Sequence, residues 1–395
     1  MTFRVAFVLA WRQEYSLPDQ ESYLSVASNI LSGTGFEVSP EERVGRAPLY
    51  PLFLAANFFA FGRSLLWVRL MQAAVGALVC VPVFFLAWRL HGHTAAMVAS
   101  GICAVYPPYI FYSRLILSEA LFIPLLPAIV LACVCLAQEG GCKVAAGLGL
   151  ALGAAILLRP SSLLLWPTLM ALVWLLGKKR LRLAGRLGLA SAVVVLCLLP
   201  WVTRNYSVTG RVVLTTLTDG WALYEGNSPQ ATGGPAQHLV VWPREEMRSM
   251  DEYERNTFLR RRAMEYIASH PRRFLRLTAG RVARMWSPVP NEPQFRTPFV
   301  LACSALSYVA VLIAATLMLF FIRFRADTAG RSTLLIILFW PMVYYGAVHA
   351  VTVGSMRYRD PLMYALLVLG AGGVAESCTR WFERRRKSGI GVGAK

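Results

Sequence analysis

Long unbroken apolar runs dominate the chain, separated by short polar punctuation and two extended polar inserts. A helix crossing a ~30 Å hydrocarbon core needs about 17–25 apolar residues. Runs of that length, or near it, cover 64–90, 93–112, 117–137, 143–158, 161–177, 186–203, 299–322, 332–351 and 361–379. They predict an all-α integral membrane protein with about nine or ten transmembrane helices. Residues 48–62 (PLYPLFLAANFFAFG) are apolar but short, and read as an interfacial helix. Met1–Trp11 is apolar over only eleven residues, too few to cross at 1.5 Å per residue. The expectation is a clipped first helix, or one extended by the turn that follows; no small-residue cleavage site marks it as a signal peptide.

The two inserts interrupt this pattern. Residues 12–63 form a first polar loop containing a helix-like stretch, Asp19–Leu31. Residues 204–298 form the second and larger one. Within it, 244–269 has helical apolar spacing at Met247, Met250, Phe258, Met264 and Ile267, and His270-Pro271 closes that stretch. A basic amphipathic segment, Arg272–Met285, follows, suited to a membrane surface or to a lid over a site. The chain thus divides into an N-terminal transmembrane module (1–203), a large outer loop (204–298), and C-terminal helices with a basic tail (299–395).

Composition sharpens the class. Apolar residues make up 56% and charged ones 15% of 395 residues, against about 25% charged in soluble domains. That balance excludes an ordinary cytosolic enzyme, and the hydrophobicity excludes disorder. The formal charge is +19, yet no nucleic-acid motif accompanies it. Basic loops that set topology and basic segments beside anionic headgroups account for such an excess, and a lipid-phosphate substrate is a third source. The clusters Lys178, Lys179, Arg180, Arg182, Arg186, then Arg323, Arg325, Arg331, then Arg384, Arg385, Arg386, Lys387 fall on one side if 48–62 does not span. That side is the cytoplasm. Residues 12–63, 113–117, 159–161, 204–298 and 354–360 then lie outside. None of the eight cysteines falls in those outer loops, so no exported disulfide framework is expected.

Candidate chemistry concentrates at the outer face, whereas the spans are nearly free of Asp, Glu and Lys. Asp19 shares a helix face with Tyr23 and Ala27, and Glu119 opens an apolar run after Ser118. Each carboxylate also reads as an ordinary first-turn or cap residue. Together they are able to deprotonate an acceptor hydroxyl or hold a divalent cation. Arg114, Arg159, Arg204, Arg357 and Arg359 supply positive charge there, as a phosphate leaving group requires, although interfacial snorkelling explains outer arginines equally. No HExxH, P-loop, GxSxG or GxGxxG occurs.

These segments resemble a known group in order and spacing. DQESYLSVASNILSGTGF (Asp19–Phe36) is similar to the D-x-x-x-Y-x-x-x-A…G-x-G-F opening of the bacterial GT-C glycosyltransferases that use polyprenyl-phosphate sugars, the protein O-mannosyltransferase and lipid A aminoarabinose transferase group. APLYPLFLAANFFAFG, WVRLMQAAVGAL, YPPYIFYSRLILSEALF, LLRPSSLLLWP, PWVTRNYSVTGRVVLTTLTDGWALYEGNSPQATGG, AMEYIASHPRRFLRL and MRYRDPLMYALL follow in the family's order. The resemblance implies a GT-C fold with extracytoplasmic juxtamembrane helices and an inverting transfer at the periplasmic face of a bacterial inner membrane. It implies Asp19 as catalytic base and Glu119 as its partner in the site. It places Glu21, Tyr23, Arg114, Arg159, Arg204, Asn205, Tyr206, Arg357 and Arg359 as substrate-binding residues. The donor would be an undecaprenyl- or decaprenyl-phosphate sugar, and the acceptor a lipid, glycan or protein. A divalent metal, if used, would sit on Asp19 and Glu119. The competing classes are a lipid-linked-glycan carrier and a non-catalytic envelope scaffold. A carrier would call for inward charge along the spans and internal repeats, neither of which occurs.

Overall fold

A computed structural model describes residues 1–11, 13–235, 237–322 and 329–387. Arg323 and Arg325 of the predicted basic turn, and the Gly-rich residues 388–395, lie outside these. Among the described residues the chain is helical, as a backbone in lipid must be to satisfy its own N–H and C=O groups. The order begins with α1 (Thr2–Ala10), α2 (Pro18–Ser32), α3 (Leu49–Phe61), α4 (Leu65–Ala77), α5 (Cys80–His91) and α6 (His93–Val105). It continues with α7 (Pro107–Phe111), α8 (Glu119–Ala137), α9 (Cys142–Leu158), α10 (Leu165–Leu176), α11 (Arg180–Thr209) and α12 (Asp219–Asn227). It closes with α13 (Glu252–Ser269), α14 (Pro271–Met285), α15 (Pro298–Ile322), α16 (Ala329–Val351), α17 (Met356–Arg359) and α18 (Met363–Lys387).

Six helices among the described residues are long and apolar enough to cross a membrane: Leu65–His91, Glu119–Ala137, Arg180–Thr209, Pro298–Leu319, Gly330–Val351 and Met356–Cys378. Three of the nine runs read as spans are shorter. The 93–112 run breaks at Tyr106, because Pro107 holds the residue before it extended. The 143–158 run forms the 17-residue α9, and 161–177 begins as a 3₁₀ turn at Pro160–Ser162 before α10. Within 64–90, α4 and α5 meet at a tightened turn at Leu78, where Pro82 cannot donate to the ladder. The interfacial helix read over 48–62 is α3, and Asp19–Leu31 is α2. Helix 244–269 starts later than its spacing suggested. Asp251 and Glu254 form a capping box that fixes its first turn, and 244–250 remain turns. The outer loop also begins later, since α11 runs past residue 203 to Thr209.

α8 is the hub. Its apolar circumference packs on α4, α5, α9, α10 and α16, while α11 and α15 present most of their surface outward. One end of this bundle carries Arg89 bonded to Gln138, Lys179 paired with Glu139, and Arg331 Nη2 3.4 Å from His91. The other end carries the first loop, the starts of α8 and α17, and the unit α12–α14. Within that unit Met247, Phe258 and Leu259 form a small separate core beneath Trp221 and Trp242. The short α1 lies against α4 and α7, and its buried Arg4 donates to the Tyr109 carbonyl.

α9 and α11 meet at a small-residue seam. Side chains added at Gly149 and Gly153 would overlap Ala190 O and Cys197, whereas Gly147 faces open space. Gly149→Ala should therefore cost about 1–3 kcal/mol and lower the thermal midpoint in detergent, while Gly147→Ala, a better helix former in open space, should hold or raise it. Equal midpoints for the two variants would show that the helices do not meet there.

Candidate active site

The bundle end opposite the Lys179 turn gathers charges from four remote stretches of chain. Pro18 at the first helical position fixes the entry into α2, which places Asp19 in the first turn, where the helix dipole favours a carboxylate. Asp19 does not cap its helix. Its Oδ1 lies 3.1 Å from Arg46 Nη2 and its Oδ2 2.8 Å from Arg357 Nη1. Glu119, at the first turn of α8, is fully buried. Its Oε1 accepts from Arg357 Nε and lies 3.3 Å from Arg159 Nη1, and Ser118 Oγ donates to its Oε2 at 3.4 Å. One guanidinium, Arg357, thus spans both carboxylates. Three guanidiniums against two carboxylates leave one net positive charge.

Aromatic rings shape the walls. Arg46 lies 5.5 Å over the Tyr23 ring and donates to Ser22, and Tyr23 donates to Ser118 at 3.5 Å. Tyr50 meets Tyr23 edge-on and donates to Gln72 at 2.6 Å, and Gln72 donates to the carbonyls of Ser113 and Leu115. That chain of bonds holds the loop delivering Glu119. Arg159 stands 5.4 Å from both the Phe122 and Tyr358 rings, and Tyr358 stacks on His349 at 3.7 Å. Burial pushes the Asp19 carboxyl up, but the Arg357 and Arg46 guanidiniums outweigh it and hold the carboxyl below its ordinary value.

Of the residues singled out from sequence, this arrangement brings together Asp19, Tyr23, Glu119, Arg159 and Arg357. The others stand elsewhere. Arg359, two residues beyond Arg357, points to the opposite side, as helical spacing requires. It is fully buried, donates to Ser287 O at 2.6 Å, pairs with Asp360 and covers the Tyr308 ring at 4.0 Å. The same geometry turns Glu21 away from Asp19 to Ser16. Arg114 joins Arg69 on Glu14 and binds Val8 O. Arg204 ties α11 to the first loop through the carbonyls of Arg43 and Phe36. Asn205 holds the Val213 and Thr215 carbonyls, and Tyr206 is exposed. Arg46, Tyr358 and His349 are the additions. Arg46 carried one usable signal, an arginine just before the interfacial helix.

A divalent cation shared by Asp19 and Glu119 does not fit this arrangement. The space between the carboxylates is filled by Arg357, Glu119 is further held by Arg159, and no group of three or more His, Cys, Asp or Glu converges among the described residues.

Residues 45–203 match the family described as dolichyl-phosphate-mannose-protein mannosyltransferase. No curated protein matches the chain by sequence. Among solved structures, the archaeal oligosaccharyltransferase AglB from Archaeoglobus fulgidus, in complex with an inhibitory peptide and a dolichol-phosphate, is similar with a TM-score of 0.60 at 12% identity. That likeness covers 100% of this chain and 51% of AglB, so the chain spans about half the length of that protein. ArnT from Cupriavidus metallidurans, bound to undecaprenyl phosphate, aligns with a TM-score of 0.46 at 14% identity over 96% of this chain and 78% of its own.

Because the folded-state pKa of Asp19 lies below its unfolded value of about 3.9, its ion pairs stabilise fully above that pH and fade as pH falls through the folded value. Wild-type thermal stability in detergent should therefore drop more steeply below about pH 4 than that of Asp19→Asn. Parallel pH profiles would remove Asp19 from the ion cluster.

Proposed function

We propose, from its fold and the family match over residues 45–203, that the chain is a GT-C glycosyltransferase that moves a sugar from a polyprenyl-phosphate donor to an acceptor, with inversion. The observation that carries this reading is Arg357 bridging Asp19 and Glu119 at the end of the bundle remote from the Lys179 turn. Basic turns stay cytoplasmic, which supports a cluster at the outer face, periplasmic in a bacterial inner membrane. A donor carried on a lipid phosphate needs no nucleotide-binding fold. AglB, alike in fold, was solved with a dolichol-phosphate, which agrees with a donor of this class.

In the proposed reaction the acceptor oxygen attacks the anomeric carbon on the face opposite the phosphate, and Asp19 takes the hydroxyl proton. The bond from that carbon to the phosphate oxygen breaks, and the polyprenyl phosphate leaves with the bonding electrons. A second negative charge then develops on the phosphate. Arg357 stands to meet it, with Arg159 and Arg46 adding positive potential. Glu119, buried behind them, orients Arg357 and Arg159. A donor phosphate arriving at Arg357 competes with Asp19 for the same guanidinium. Asp19 then becomes more basic once the donor is in place. The module 1–203 with the C-terminal helices would hold the donor, and the outer unit would frame the acceptor, whether lipid, glycan or protein.

The test is transfer of label from radiolabelled polyprenyl-phosphate sugars in purified membranes. Label should move with wild type, almost not at all with Asp19→Asn, and about 10²–10³ times more slowly with Arg357→Ala. Full activity of Asp19→Asn would remove the assigned base. A folded wild type that consumes no donor would be better read as a carrier of lipid-linked glycans.

A further inference from the structure

The outer unit grips the chain that leads to Arg357 at several points, and one of them is a buried guanidinium. Arg281 on α14 is 1% exposed. Its Nη1 donates to the carbonyls of Ala350 at 2.8 Å and Val351 at 2.9 Å. Its Nη2 donates to the carbonyl of Gly226 and to Asn227 Oδ1 at 2.9 Å. These carbonyls belong to the last turns of α16 and α12. A helix C-terminus leaves carbonyls unpaired and carries partial negative charge. Arg281 therefore serves two converging helix ends at once, and those dipoles supply its counter-charge.

The chain beyond α16 has little freedom where it passes this clasp. Asn227 Nδ2 donates to Val351 O at 2.9 Å, and the Gly354 N–H donates to Gly233 O at 3.0 Å. A side chain at Gly226 would overlap the Thr352 carbonyl, and one at Gly354 would overlap the Arg281 backbone. Asn291 Oδ1 then accepts from Met356 N–H at 2.7 Å, and Ser355 caps Arg357 N–H at 3.4 Å. Arg357 follows directly.

We infer that Arg281 is a positioning residue: from α14 it clamps residues 350–354 and so sets where the Arg357 guanidinium stands between Asp19 and Glu119. The inference rests on the reading of Asp19 and Arg357 given above. A lysine keeps the charge but lacks the planar fork that reaches two helix ends. In Arg281→Lys the 350–354 segment loosens and Arg357 draws back from Asp19. Asp19 also faces Arg46 from the first loop, Arg159 after α9, Glu119 on α8, Tyr358 on α17 and Tyr23 on its own helix. All of these remain in the variant, so the change at Asp19 reports Arg357.

The experiment uses full-length protein in nanodiscs. Water-soluble carbodiimide modifies only protonated carboxyls, so Asp19 labelling against pH, read by mass spectrometry, gives its midpoint without turnover. Arg281→Lys should raise that midpoint by about one pH unit. It should also lower kcat/KM for the polyprenyl-phosphate sugar about tenfold, with the acid limb of the profile moving upward. Arg357→Met should raise the midpoint by itself, and adding Arg281→Lys to it should change nothing further. If Arg281→Lys does not fold, Asn227→Ala, which removes one strand of the same clasp, answers the same question. A wild-type midpoint in a folded Arg281→Lys or Asn227→Ala overturns the inference, as does a further shift in the double variant. A wild type with no transferase activity overturns the functional reading instead, because the labelling midpoint does not depend on turnover.

Discussion

Glu119 is a carboxylate with no exposed surface at the first turn of the helix around which the bundle packs. Removing such a charge from water costs several kcal/mol, recovered only by cations held in good geometry. Arg357 and Arg159 supply that geometry. Arg159 sits at the α9 terminus and Arg357 beyond α16, so the buried Glu119 ties α8 to two remote segments of the chain. Asp19 and Arg46 then close the cluster from the first loop. The charges of the candidate site are in this sense also the structural bolt of this end of the bundle. A change at Arg357 or Arg159 leaves the buried Glu119 short of a partner.

That bolt is reached from outside through α17. Arg357 faces inward to the carboxylates, while Arg359, half a turn away, faces the opposite side and binds Ser287 O, Asp360 and the Tyr308 ring. Tyr112 donates to Asp360 and so ties the same segment to the loop before α8. One short helix is therefore fixed on two sides by different parts of the chain, with the outer unit gripping its approach at Gly354 and Met356. Displacement of the outer unit has a direct mechanical route to the guanidinium between the two carboxylates.

Much of this was legible in the residues, and what was not has identifiable causes. Hydrophobic run length located six helices long and apolar enough to cross a membrane and the short apolar helix 49–61. Pro107 then cuts a run that composition alone reads as continuous, and Pro82 tightens a turn inside another, because apolarity says nothing about a missing N–H. At the site, Asp19 and Glu119 were visible as carboxylates near apolar helix starts. The choice between Arg357 and Arg359 was not, since it depends on the rotation of a four-residue helix. Arg204 and Asn205 lie in a segment that resembles the family yet serve the backbone. In sequence an Arg-Asn pair looks the same whether its donors serve a ligand or the chain's own carbonyls.

A base that rests in two ion pairs is a weak base, and this bears on how such a site would work. Asp19 is held low by Arg357 and Arg46, so in the resting arrangement it has little tendency to take a proton from a hydroxyl or from water. The lipid phosphate of a donor carries the negative charge able to compete for Arg357. On the proposed reading, occupancy of the donor site is then what restores basicity to Asp19, and an acceptor arriving alone meets a carboxylate already engaged. The net positive charge of the cluster favours the same order, because it attracts the anionic donor before any bond is broken. Glu119 makes the exchange possible. It keeps its hold on Arg357 Nε, so the guanidinium can turn from Asp19 toward a phosphate without leaving the site.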